Sequence, residues 1–337
     1  MNHQISGCST LKMRSSSPLL EAASNGDIEL VRMLVTEKAS LDDFDAHGNT
    51  SLKLATQKGH TNIVKYLIEA RSNVDECDEH GETALFDAAV GNRLDILNAL
   101  INAKASFYAY NKVSGSSVLI DAVKSGHSSI VKALLSAGAE VDDTDVLGMT
   151  AIAWSLRGTS AYLFHILLSA KASINFKNAS GETPLIVASR QGQTSSVKLL
   201  IDAGAQKEET GIEGCTALHR ASLGGHLEVV EMLLSAQATV DTRNMRGSTP
   251  LMDMARRTNV DMLERLLTAG ASVTLTDNQG DTALMHAAYC GRVDNVKTLM
   301  DARSQVDVTD KLGRTALMKA SMNGHADVVR QLLLDDR

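Results

Sequence analysis

The chain has 337 residues, 44% of them hydrophobic and 22% charged, with a formal net charge of -7. This balance excludes a disordered or fibrous chain and supplies enough apolar side chains for a long core. Aromatic residues make up only 3%, while Ala, Leu and Met are plentiful, which favours small, closely approaching helices over sheets packed around large rings.

In chain order, the start "MNHQISGCSTLKMRSSS" lacks the apolar run of a secretory signal, and 1–16 reads as a short disordered tail. From Ser17 to Arg337 the chain reads as one array. Its first unit, "SPLLEAASNGDIELVRMLVTEKASLDD", is an N-terminal cap, and a core of the form "G-x-T-x-L" then recurs at Gly48, Gly81, Gly115, Gly148, Gly181, Gly214, Gly247, Gly280 and Gly313. Successive glycines are 33 residues apart with one extra residue before Gly115, so one supersecondary unit is copied about ten times into a solenoid. The fold expected is an all-α stack of helix-turn-helix units joined by β-turn loops.

Each unit opens with Gly at a turn and Thr or Ser as helix cap. Pro18, Pro184 and Pro250 fall at first helical positions, where a missing N–H costs nothing. A short Ala-rich helix then ends near a second Gly and a longer helix follows. Asn92, Thr159 and Thr258 replace that second Gly, and distorted turns are expected at the two threonines. After the longer helix Gly138, Gly204 and Gly270 are as expected, whereas Lys38, Arg71, Lys104, Lys171, Gln237 and Arg303 stand in the same place and predict strained left-handed residues. The last unit ends "VVRQLLLDDR", with no further polar cap.

His60, His127, His226 and His325 each follow the second Gly of a unit. Recurrence in one register points to a packing or hydrogen-bonding task between helices. His219 has no ligand partner at a zinc spacing. The scattered Cys8, Cys77, Cys215 and Cys290 form no C-x-x-C pair, as in reduced intracellular thiols, so no metal or cofactor is expected. The repeated Asp45, Asp78, Asp145, Asp277 and Asp310 read as turn residues, and without a P-loop, dinucleotide fingerprint or nucleophile elbow the chain is not expected to be an enzyme.

The stretches "GETPLIVASRQGQTSSVKLLIDAGA", "GCTALHRASLGGHLEVVEMLLSAQA" and "GRTALMKASMNGHADVVRQLLLDDR" resemble ankyrin repeats. Only His219 keeps the His of the family's T-P-L-H signature; Lys53, Phe86, Ile120, Ala153, Ile186, Met252, Met285 and Met318 stand elsewhere. The resemblance implies an interaction scaffold or adaptor that binds other proteins through loop tips and the concave side of the shorter helices. The alternative is a regulatory module of a larger channel, kinase or effector.

Mapped onto this chain, that surface carries Lys58, Lys124, Arg157, Arg190, Arg256 and Arg257, with Arg220 close by. They are either a basic stripe suited to an acidic protein segment or an ordinary solvated face. Val146, Leu147 and Met149 are apolar for loop tips, and with Trp154 and Arg157 they form the first choice of hot spot; Trp154 reads equally as a core substitution. Tyr289 and Met322 fall at concave positions, as contacts or as fillers. Few aromatic residues are interleaved with the basic ones, so nucleic acid is not an expected partner. No stretch has the length of a membrane span, and the expected compartment is the cytoplasm, with the nucleus as the alternative.

Overall fold

The structure is a computed structural model and describes residues 17–157 and 161–334. The expected tail at 1–16, Thr159 and the closing 335–337 lie outside the described residues. The chain divides into two compact units, Met1–Ser173 and Ile174–Arg337. In the first, α1 (Pro18–Asn25) pairs with α2 (Ile28–Thr36), α3 (Ser51–Lys58) with α4 (Thr61–Glu69), α5 (Ala84–Val90) with α6 (Leu94–Asn102), α7 (Val118–Lys124) with α8 (Ser128–Ser136), and α9 (Ala151–Ser155) with α10 (Ala161–Ser169). The second holds α11 (Pro184–Arg190) with α12 (Thr194–Asp202), α13 (Ala217–Gly224) with α14 (Leu227–Ser235), α15 (Pro250–Ala255) with α16 (Val260–Thr268), α17 (Ala283–Tyr289) with α18 (Val293–Asp301), and α19 (Ala316–Met322) with α20 (Ala326–Leu333).

Within each unit the odd-numbered helices pack on one another in one layer and the even-numbered helices in a second. The core lies between the layers, where Leu52 and Ala55 meet Ile63 and Leu67 in the first unit and Leu218 and Ala221 meet Val230 and Leu233 in the second; all eight are buried. Ala55, Ala88, Ala122, Ala188, Ala221, Ala287 and Ala320 share one register and are buried, because only a small side chain lets neighbouring short helices approach closely. Strand structure among the described residues is confined to isolated bridges such as Phe44–Thr50 and Thr144–Thr150. No helix among them is long and apolar enough to cross a membrane.

Local chemistry sets each helix start. Thr150 Oγ1 accepts from the Ala153 amide at 3.4 Å and Thr282 Oγ1 from that of Met285 at 3.3 Å, and the three prolines occupy first turns. Thr83 is an exception, its buried hydroxyl making no cap bond. The six residues standing in for the terminal Gly are left-handed, with φ between 63° and 68°. Adjacent loop tips are joined by backbone bonds: Val146 N–H donates to Ser114 O (3.0 Å) in the first unit, and Met245 N–H to Glu213 O (2.9 Å) in the second.

The recurring histidines bridge neighbouring repeats. Nε2 of His60, His127, His226 and His325 lies 3.0–3.1 Å from the carbonyls of Ser24, Val90, Arg190 and Tyr289 respectively. Arg93 and Arg292 take the same place and donate to the carbonyls of Gln57 and Arg256 at 2.8 and 3.0 Å. His219 completes a capping box with Thr216 and places Nε2 3.2 Å from Ser248 O; its burial pushes the imidazole pKa down. These imidazoles join helices through hydrogen bonds.

The turn after α15 is distorted, as Thr258 predicts. Elsewhere the first residue after the turn donates to the carbonyl five residues back, as His226 does to Ala221 and Arg292 to Ala287. Thr258 does not enter the left-handed region, α15 ends at Ala255, and the corresponding bond from Asn259 to Met254 is missing among the described residues. Asn295 of α18, 1% exposed, compensates by donating to the carbonyls of Arg257, Ala255 and Met254 at 2.7, 3.0 and 3.3 Å. Other units place apolar side chains such as Ile63 and Val229 at that position.

Candidate functional site

Within each compact unit, turn acids organise the face built from the odd-numbered helices and the loops before them. Asp145 Oδ1 accepts from the amides of Leu147 and Met149, both at 3.0 Å, while Oδ2 accepts from Trp154 Nε1 at 2.8 Å. Asp277 repeats this with the amides of Gln279 (2.8 Å) and Asp281 (3.0 Å) on one oxygen and His286 Nε2 (2.9 Å) on the other. Asp310 holds the Leu312 and Arg314 amides, both at 2.9 Å, while its second oxygen lies 2.7 Å from Lys319 Nζ. One carboxylate thus folds the loop and seats the side chain nine residues on.

That pattern recurs in three repeats at the same spacing, and the comparison with known families agrees with a repeated unit. A family profile described as Ankyrin repeats (3 copies) matches residues 2–76, 19–111, 67–145, 149–244 and 251–337. The chain belongs to the ankyrin repeat family. Ankyrin repeats are in general protein–protein interaction modules. Among curated proteins none matches the chain.

In this ankyrin protein Trp154 is half-buried and lies against two cations. Lys124 Nζ lies 4.5 Å from its ring centroid and the Arg157 guanidinium carbon 4.7 Å, both within the range of cation–π attraction. Trp154 is thus neither a buried core residue nor a free anchor. Beside it Val146 and Leu147 are 63% and 57% exposed. Met149 corrects the expectation of an apolar tip, because it is 8% exposed: its amide is tied to Asp145 directly before the helix cap Thr150, which turns its side chain inward.

The basic residues are not a bare stripe. Lys124 lies 3.2 Å from Asp121 and 3.8 Å from Asp145. In the second unit Arg190 and Arg220 approach Glu182 at 3.2 and 3.8 Å, and Arg220 also donates to Ile212 O at 2.8 Å. Arg256 contacts His286 at 3.1 Å and lies 3.8 Å from Asp277. Lys58, Arg157 and Arg257 are exposed, and so are Tyr289 and Met322, which fill no gap in the core.

Two ion-paired lysines carry no sign in local sequence. Lys53, 1% exposed, places Nζ 2.6 Å from Asp87 and 3.3 Å from Asp78; burial pushes the Asp87 carboxyl up, against the pull of Lys53. Lys319 lies 2.6 Å from Asp281. The one hint is that Lys53 stands where the signature His belongs. Ligand atoms of Asp277, Asp281 and His286 lie within 4.8 Å of one another, but Arg256 and Lys319 already supply the positive charge that a cation would bring, so the cluster acts as an ion-pair network across repeats.

Proposed function

We propose that this chain is a non-catalytic scaffold or adaptor, working in the cytoplasm, that binds other proteins through the odd-numbered helices and loop tips of its units. The observation carrying this reading is Trp154 in contact with Lys124 and Arg157, with the exposed Val146 and Leu147 near it in sequence. A rigid aromatic platform with an apolar rim and an exposed guanidinium combines the side chains that most often dominate interface energies. The titratable groups around it are engaged with one another, which supports a holding role over proton transfer. The test is capture of partners from a cell extract by the intact chain and by a Trp154→Ala, Arg157→Glu, Arg190→Glu variant. Partners lost by the variant support this face; identical recovery by both places binding elsewhere.

A further inference from the structure

Where histidine or arginine bridges to a repeat that carries the turn glycine, it also covers that glycine. A Cβ added to Gly26 would meet His60 at 2.7 Å, and one added to Gly192 or Gly291 would meet His226 or His325 at 2.4 and 2.6 Å. At Gly225 such a Cβ meets nothing within 4 Å. The bridging position there belongs to Asn259, whose shorter side chain folds back to cap its own helix through the Met262 amide at 3.1 Å. The Leu223 carbonyl, in the register of the bridged carbonyls, receives no side-chain donor among the described residues. With Thr258 opening the turn as well, a cavity of about 320 Å³ remains between the ends of α13 and α15.

The charged residues lining that cavity are Arg256, Arg257 and Arg292, with no carboxylate among them. A second cavity of about 310 Å³ shares Leu223, Arg256 and Arg257 and is lined also by Arg246 and by the carboxylates of Glu213 and Asp253, so the acid-free part is the first cavity. The two cavities lie on either hand of these shared residues, and the groove is the first, at the interhelical turn. Arg246 is engaged by Glu213 at 3.3 Å, Arg256 lies 3.1 Å from His286 and 3.8 Å from Asp277, and Arg292 donates to the Arg256 carbonyl. Arg257 is exposed and makes no ion pair among the described residues.

We infer that this groove docks an extended acidic segment of a partner protein, with a carboxylate side chain seated against Arg257 at the acid-free cavity and an apolar side chain on Leu223. The inference rests on the scaffold reading and assigns it a second, chemically defined contact. Charge complementarity carries it: a protein of net charge -7 here concentrates guanidinium groups around space that neighbouring repeats fill with their own side chains. Such pairing gives specificity and salt-sensitive association.

The test uses the full chain and a fluorescein-labelled octapeptide of alternating Glu and Leu, with a Lys and Leu octapeptide as control, followed by anisotropy. Asn259→His should restore the bridge to Leu223 and fill the cavity without removing an arginine. Arg257→Glu reverses the unpaired charge at an exposed site. Each should weaken binding of the acidic peptide by about tenfold, Arg157→Glu should leave it unchanged, and the basic peptide should not bind. Absence of saturable binding, or indifference to both Asn259→His and Arg257→Glu, overturns the groove. Loss on Arg157→Glu alone overturns it too, while leaving the Trp154 face standing. Tighter binding of a single-stranded oligonucleotide, sensitive to the same two variants, would overturn a protein as the occupant.

Discussion

Asn295 Nδ2 lies 2.7 Å from the carbonyl of Arg257 and, with its bonds to Ala255 and Met254, closes the end of a helix to which it does not belong. A buried amide there is explained by the turn it repairs. Removing the donor strands the Ala255 and Arg257 carbonyls, while the Met254 carbonyl keeps the Arg257 amide at 2.9 Å.

Asn295→Val, which restores the kind of side chain other units carry, is therefore expected to destabilise the protein by about 2 kcal/mol. Thr258→Gly should reduce that penalty, since a left-handed Gly lets the Asn259 amide take up the Met254 carbonyl. A double-mutant cycle from urea midpoints measures the coupling. Strict additivity would show that the two positions act independently.

Lys171 has a φ of 65° and an exposed side chain, and at the equivalent Gly138, Gly204 and Gly270 an added Cβ would meet nothing within 4 Å. The position demands a conformation without supplying a contact. Lys171→Gly relieves roughly 1–2 kcal/mol of left-handed strain and gives back part of it through the freer unfolded chain. A net gain of about 0.5–1 kcal/mol is expected from these two effects, read as a higher urea midpoint. A lower midpoint would mean that the lysine makes a compensating interaction with the helix end.

The buried Lys53 neutralises Asp87 and Asp78 together. Lys53→Met leaves two carboxylates facing apolar surroundings and should cost about 3–5 kcal/mol. Asp87→Asn should cost much less, because burial already pushes this carboxyl towards its neutral form and the amide can still accept from Lys53. Equal losses in the two variants would refute the ion pair as the organising contact.

Stability should also depend on pH with a definite sign. Burial pushes the His286 imidazole down, reinforced by Arg256, and burial depresses His219 as well. The unfolded chain then binds more protons than the folded one as pH falls through the ordinary imidazole range near about 6.5. The stability they support is present above that range and lost below it. His47 acts oppositely: the bond to Glu79 raises it, but it is fully exposed and its effect is screened by salt. Burial raises the Asp310 carboxyl, but bonds from Lys319 and Arg314 outweigh this and hold it well below the carboxylate range, so its contribution persists until strong acid. Urea midpoints should fall between about pH 7.5 and 5.5, and His286→Gln should flatten the fall. An unaltered slope in that variant would assign the dependence to other groups.

Much of this architecture was legible residue by residue. The glycine period, the Thr and Pro helix starts, the left-handed Lys38 and Lys171 and the distorted turn at Thr258 all rest on interactions within one turn of chain, where composition alone decides the conformation. The partners chosen across repeats were not legible. Asp145 reads as a turn residue, yet its second oxygen orients Trp154; Arg190 and Arg256 read either as a basic stripe or as a solvated face, yet Glu182, His286 and Asp277 engage them; Met149 reads as a tip, yet it is buried. His226 reaches back 36 residues to Arg190, whereas Asn259 in the same register turns to its own helix. Such choices depend on side-chain length and on the distance between stacked helices, and those distances exist only once neighbouring repeats have packed.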